Sequence, residues 1–431
     1  MDTTLWTIQI RVIPVVQYSA LVMELQALIN HVMFLIRYRE KETYFTRNTA
    51  KMTFQELIAF VLKLPKASMQ AEVNRFLREF KPSETMAKTS LMEARLKISP
   101  YAFSAINDFI VGRAYEGGDY KSFKGYRLVA VDGSVFDANA GAEESFGTLK
   151  TPGNPVVKAK VLALVDVLND LTLKAIMGGY AENERDQAIE AIECLREKTQ
   201  IRDLYTFDRG FPSRELIGEL EDKGLRFLMR VSTNFVKAVT QAKEADQIVQ
   251  IKDDKGITRN LRVVNVVLPT GEIEKLITNE FSFSLDELKE LYRLRWGIER
   301  KYLELKELLQ IENFTGSRLE LILQDFYATV AVSNLAALAK QEAQFLNEKM
   351  SPAKQRKYEY KINTNLTIAT LRDTLVFALL EDNPRKARKA VTASLMTIRK
   401  CLVPIRTDRP STPRVSKNHA QKFPLSKKRS W

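Results

Sequence analysis

Four residues in one stretch have types and spacing that could do chemistry. Within residues 284–310, SLDELKELYRLRWGIERKYLELKELLQ, they are Tyr292, Arg295, Glu299 and Lys306. A carboxylate flanked by cations suits a metal site that handles phosphate. Glu299 can ligate a hard cation through oxygen, while Arg295 and Lys306 can neutralise nucleic-acid backbone phosphates on either side of it. The same residues would also make an ordinary charged helix face, with Arg295 and Glu299 as an i,i+4 ion pair.

The element that positions them reads as one long helix. Ser284 and Glu287 supply an S-x-x-E capping box, no proline interrupts the run, and Gly297 is its one weak point. At roughly 100° per residue, Arg295, Lys306 and Glu299 fall at about 300°, 320° and 340° from Tyr292, so all four share one stripe. Leu291, Leu294, Ile298, Leu305 and Leu309 cover the flank at about 200° to 260°. The helix is expected to have a packed side and a chemical side.

Two aspartates extend the pattern. Asp132 follows the apolar run LVAV and precedes Gly133-Ser134; Asp208 follows LYTF and precedes Arg209-Gly210-Phe211. An acid at the end of a buried strand, with glycine after it to let the chain turn, projects its carboxylate from the sheet edge where ligands sit in layered α/β folds. Either aspartate alone reads equally as a turn or capping residue. Together with Glu299 they make a set of three, and three carboxylates can hold two Mg²⁺ ions about 3.5 to 4 Å apart. The only histidines, His31 and His419, lie far from all three acids in sequence, which argues against zinc and against a Ser-His-Asp mechanism.

The elements around these residues follow from periodicity and turn chemistry. Residues 1–44 read as an apolar helical extension, and residues 45–120 as short helices, with a Thr53…Glu56 capping box and Ser68 as a further cap. Several short helices on a small core suit a helical DNA-binding domain as well as any small bundle. From residue 121 the character changes to RLVAVDGSV, KAKVLALVDV and LTLKAIM as strands, a helix over 184–197, the strand LYTFD, the helix RELIGELEDKG and the strand LRFLMRV. That order predicts an α/β layered domain over 121–345 on a mixed sheet. Residues 232–283 read as a small antiparallel β insertion, a meander of QIVQIK, RNLRVVNVVLP and EIEKLIT. The remainder, 346–431, is helical and then basic, with a Pro-rich end and an amphipathic helix over 385–402.

Charge and composition bound the partners. The chain has 431 residues and a net charge of +13, and residues 383–431 hold 14 Lys and Arg against the single acid Asp408. Residues 1–382 are thus formally neutral, and the whole excess sits where a tail could meet a polyanion or simply stay solvated. Cys194 and Cys401 form no metal motif or disulfide framework, so a reducing cytoplasm is expected. The apolar opening is broken by Gln9, Arg11, Glu24, His31 and Arg37, and Asp2 replaces a basic n-region, so neither a membrane span nor a signal peptide is expected.

The motifs resemble those of the DDE transposases of the bacterial insertion-sequence four (IS-four) family. Its Y-x2-R-x3-E-x6-K signature matches Tyr292, Arg295, Glu299 and Lys306 at every spacing; its D-x-G-F/Y element matches Asp208, Gly210 and Phe211, and its first acid matches Asp132. The resemblance covers about residues 45–345. It implies a ribonuclease-H-like mixed sheet with flanking helices, interrupted by the β insertion, and an N-terminal helical domain that binds DNA. It further implies cut-and-paste transposition: cleavage at the ends of the element and strand transfer into target DNA. Asp132, Asp208 and Glu299 would be catalytic and hold two Mg²⁺, for which Mn²⁺ can substitute; Tyr292, Arg295 and Lys306 would hold DNA phosphates. The partners implied are double-stranded DNA and a second copy of the chain, in a bacterial cytoplasm at the nucleoid. In some members an aromatic of the insertion holds a flipped base, whereas here Phe235, Phe281 and Phe283 stand only at its ends.

Overall fold

The computed structural model describes residues 17–47, 50–118, 120–149, 156–267, 271–350 and 358–405. The expectations for residues 1–16 and for the basic end beyond residue 405 lie outside the described residues. The centre of the fold is a nine-stranded sheet. Its strands are β1 (Arg127–Asp137), β2 (Thr148–Leu149), β3 (Val156–Asp166), β4 (Leu171–Gly179), β5 (Asp203–Phe207), β6 (Arg226–Arg230), β7 (Asp246–Lys252), β8 (Thr258–Val267) and β9 (Ile273–Thr278). The order is β2-β3-β1-β5-β6-β9-β8-β7, with β4 on β3. Strands β1, β5 and β6 are parallel, and β3 and β4 run antiparallel to their neighbours. With helices Glu184–Arg196 and Arg214–Asp222 as the crossovers, this is a ribonuclease-H-like mixed sheet.

Local chemistry explains the elements. The β3–β4 turn is tight because Asp170 takes φ +55°, a left-handed conformation that Asp tolerates. Leu128, Leu204, Leu228, Val264 and Leu276 make one sheet face apolar, and Leu288, Leu291 and Tyr292 cover it. Val129, Val131, Tyr205, Phe207 and Phe227 point to the opposite face and join the larger core. Each side chain so buried contributes roughly 1.5–3 kcal/mol, which fixes which face is which, since a one-residue slip would invert the pattern.

Helix Leu319–Met350 runs through the interior, buried from Leu321 to Ala339 with the single-residue exception of Leu323. It ties the N-terminal helices to the sheet. Arg95, fully buried, donates to Gln324 (3.0 Å) and Asp325 (2.8 Å), while Asn334 bonds Asn107 (2.7 Å) and the β4 residue Thr172 (2.8 Å).

Four expectations are corrected and one is borne out and extended. First, β1 does not end at a turn after Asp132: it runs on to Asp137, with Gly133 opposite Leu162 and Ser134 opposite Val161, because the long strand β3 continues to supply hydrogen bonds after β5 has ended. Second, the insertion is the expected antiparallel meander, and β9 also pairs with β6, so it extends the central sheet. Third, the long helix is two helices, Leu285–Leu294 and Gly297–Leu303, followed by a π turn at Glu304–Leu308. The junction tightens to i→i+3 bonds, Arg295 to Tyr292 (3.1 Å) and Ile298 to Arg295 (3.0 Å), and lets the first piece lie against β6 and the second against β1. Fourth, Ser68 makes no side-chain cap, and Glu72 instead accepts from the Ala67 N–H (3.2 Å). Fifth, the last helix ends at Lys400, and Leu402 belongs to a short strand paired with Tyr360–Ile362.

Candidate active site

Strand register builds the site. The last parallel pair of β1 and β5 is Val131 with Phe207, and the last pair of β5 and β6 is Phe207 with Met229. The next residues in this row are Asp132, Asp208 and Arg230. Both aspartates therefore lie at the same level on adjacent strands, Asp132 within β1 and Asp208 just past the end of β5, beneath the broken helix. Strand ends located the two acids but missed Arg230, which the sequence places inside the strand LRFLMRV and which is the last residue of β6.

The turn after Asp208 is pinned from outside the sheet. Arg185 donates to the carbonyls of Phe211 (2.7 Å) and Gly210 (3.0 Å), and Phe211 is buried with its ring 5.5 Å from that of Phe207. Gly210 has no positive φ, so the turn does not demand glycine there. Gly133 has a different function: a Cβ on it would come 2.9 Å from the Glu184 carboxyl carbon, on the side of β1 opposite Asp132.

The helix above is anchored by its own side chains. Ile298 is fully buried, and Tyr302 donates to the carbonyl of Asp132 (2.8 Å). Lys301, 2% exposed, is paired with Asp170 (2.8 Å) and Glu304 (3.2 Å). Against burial, which raises it, Lys301 and Lys340 hold the Asp170 carboxyl well below its ordinary range. Gly297 rests against Val167, whose Cβ and Cγ1 would lie 3.0 Å from any Cβ placed there.

The expected stripe is present for three of its four members. Tyr292 donates to Asp208 (3.2 Å), the Arg295 guanidinium lies 5.6 Å from the Tyr292 ring, and Arg295 Nη2 donates to Glu299 (3.2 Å). Lys306, beyond the break, turns to the far part of β1, donating to the Val135 carbonyl (2.9 Å) with its ammonium 4.5 Å from the Phe136 ring centre. The chemical side is not a surface: Tyr292 is 6% and Arg295 3% exposed, and only Glu299 reaches well into solvent. Of the aromatics at the insertion, Phe281 is exposed and Phe283 is buried against Phe123 and Tyr126.

Electrostatics centre on Arg295. Burial pushes the Asp132 carboxyl up to about 6; Arg295 and the Gly133 N–H (3.0 Å) pull against it, and the Asp208 and Glu299 charges add to the rise. Burial likewise raises the Tyr292 phenol far above its ordinary value. Burial disfavours the Arg295 charge, but Tyr292, Asp208, Asp132 and Glu299 outweigh it and hold the guanidinium above its usual value. Its Nε and Nη1 are buried and have no hydrogen-bond partner among the described residues. Arg230 adds a second cation, 4.0 Å from Asp208 and 2.5 Å from Glu274.

Residues 123–335 match the family model of the transposase DDE domain. The chain carries a DDE transposase domain. The matched span contains all three acids and the full Tyr292 to Lys306 spacing. A cryo-EM structure of a piggyBac transposase synaptic complex with hairpin DNA aligns over 94% of this chain and 87% of its own, at 11% identity and a TM-score of 0.46. No curated protein matches the sequence.

Enzymes with this domain use divalent metal ions, and the donors suit one in kind, since all three are carboxylates and hard cations take oxygen. They do not yet form a cage. Among the described residues no three His, Cys, Asp or Glu side chains stand close enough to share a metal ion. In the DDE domain's present arrangement the Arg295 guanidinium is the cation that the acids face.

Proposed function

We propose that the protein moves its own DNA element by cut-and-paste transposition, with Asp132, Asp208 and Glu299 as the metal-binding catalytic acids. The observation that carries this reading is the placement of Asp132 and Asp208 at one level of adjacent parallel strands, under the helix that bears Glu299. Two Mg²⁺ ions held by these acids, or Mn²⁺ in their place, would polarise the scissile phosphate and lower the pKa of the attacking water.

The chain's own groups prepare the site. Tyr292 holds Asp208 by its phenol, and Tyr302 fixes the Asp132 backbone to the helix. Arg295 has Nε and Nη1 unused and suited to a backbone phosphate, but both are buried, so a phosphate reaches them only if the helix that bears Arg295 shifts. Tyr292 and Lys306 can take phosphates only by exchanging their present bonds, so in the DNA-free protein they position Asp208 and β1.

The reaction balances without an external energy source. Water attacks phosphorus at the element's end, the P–O3′ bond breaks, and the oxygen leaves as a 3′-hydroxyl. That hydroxyl then attacks a target phosphodiester, one P–O bond forming as another breaks. Two ends must meet for this, so the working form on DNA is a homodimer.

The test is cleavage and joining of a labelled duplex bearing the sequence that flanks the coding region, with Mg²⁺ or Mn²⁺. The wild type should yield joined products, and Glu299→Gln should lose cleavage by more than about 10²-fold while still binding DNA. Cleavage without joining would identify a nuclease, and equal loss of binding and cleavage in the variant would sink the role given to Glu299.

A further inference from the structure

Helix Pro384–Lys400 divides its surface sharply. Ala387, Val391, Leu395 and Ile398 are all 2% exposed or less, and they pack on helices Tyr18–Asn30, Leu319–Met350 and Thr364–Leu380. Beside that face Arg385, Arg388, Lys389 and Lys400, all exposed, fall within about 120° of arc at 100° per residue. The helix holds no acidic residue. None of Arg385, Lys386, Arg388, Lys389 and Lys400 makes an ion pair with a described residue.

At the start of this helix the fold gains nothing from the arrangement, although Lys400 in the last turn suits the helix dipole. Arg385 and Lys386 stand in the first turn, where the helix dipole disfavours positive charge, and Arg385 and Lys389 are like charges at i,i+4. A ligand that rewards it must be an extended polyanion. Seventeen residues make a stripe of about 25 Å, roughly the length of seven base pairs. An anionic membrane would need the apolar face as well, and that face is consumed by packing.

We infer that this stripe is a second DNA-backbone surface, on the helical layer rather than at the acids, which tracks the phosphates of duplex DNA without reading sequence. The inference rests on the proposed function for its polyanion. Arginine and lysine on a rigid helix act as a row of fixed charges, so each contact releases counterions and steepens the dependence of affinity on salt.

The experiment is binding of a fluorescent duplex to the full chain, without divalent metal, over a series of salt concentrations. Arg385→Glu/Arg388→Glu/Lys389→Glu should bind at least tenfold more weakly at about 0.1 M salt, with a log–log slope shallower by about 2 to 3. Arg385→Lys/Arg388→Lys, which keeps the charge, should retain the wild-type slope, and circular dichroism should show all variants folded. An unchanged slope in the triple variant would overturn the stripe while leaving a cleaving wild type, and hence the proposed function, intact. A wild type that ignores duplex DNA, or whose stripe prefers anionic vesicles to DNA, would also overturn it.

Discussion

Asp132 and Asp208 are neighbours by register: each is the residue that follows the paired Val131 and Phe207 on adjacent parallel strands. Two carboxylates so placed repel, and a cation must stand near both. That cation is Arg295, whose guanidinium is 97% withdrawn from solvent by burial beneath its own helix.

Arg295 and a divalent metal should compete for these acids. Removing one positive charge a few ångströms away changes the site by more than 1.4 kcal/mol even at high effective dielectric, so Arg295→Ala should bind Mn²⁺ at least about tenfold more tightly. Titration by electron paramagnetic resonance measures this directly. Weaker Mn²⁺ binding would mean that Arg295 organises the acids rather than opposing the metal.

Gly297 should tolerate no side chain. Alanine in a helix normally gains about 1 kcal/mol over glycine, but here its Cβ would press on Val167 at 3.0 Å, and overpacking of this kind costs about 1–3 kcal/mol. Gly297→Ala should lower stability in urea unfolding, and Val167→Ala in the same chain should restore part of it. Additive losses in the double variant would show that the contact is not the cause.

Lys301 should be a structural anchor. Its removal takes the buried cation from Asp170 and Glu304, but Asp170 keeps Lys340 (2.8 Å) and Glu304 keeps the Ser333 hydroxyl (2.8 Å), so the loss falls to about 1–2 kcal/mol, below the range for a fully stranded buried charge. Urea unfolding of Lys301→Met measures the loss, and a change below about 0.5 kcal/mol would remove Lys301 from this account.

Asp166 should give stability a pH slope. Burial pushes its carboxyl up to about 6, against hydrogen bonds from Tyr115 (2.6 Å) and Asn169 (2.6 Å) that favour the ionised form. The folded value lies above the unfolded one, so the native state holds the proton more tightly. Its contribution is full below about pH 4 and declines as pH rises to about 6, by about 3 kcal/mol in all. Asp166→Asn should lack that decline, and unfolding free energies at pH 4.5 and 7 for both chains test it.

Much of this was legible in the sequence. Apolar runs bounded by turn residues marked the central strands, the capping boxes at Thr53 and Ser284 formed with both reciprocal hydrogen bonds, and the Tyr292, Arg295, Glu299 spacing did produce one cluster. These are local properties, set by side-chain periodicity and by hydrogen bonds spanning three or four residues. They determined the elements and which residues could be proposed as the acids.

Tertiary structure decided how the acids meet. Pairing of β1 with β3 carried the strand straight through Asp132, and pairing with β5 set Asp208 beside it. Packing of Gly297 on Val167 accompanied the break in a helix that periodicity reads as continuous, turning Lys306 away to Val135 while Arg295 sank among the carboxylates. Register and burial depend on partners distant in the chain, and no window of sequence contains both sides of such a contact.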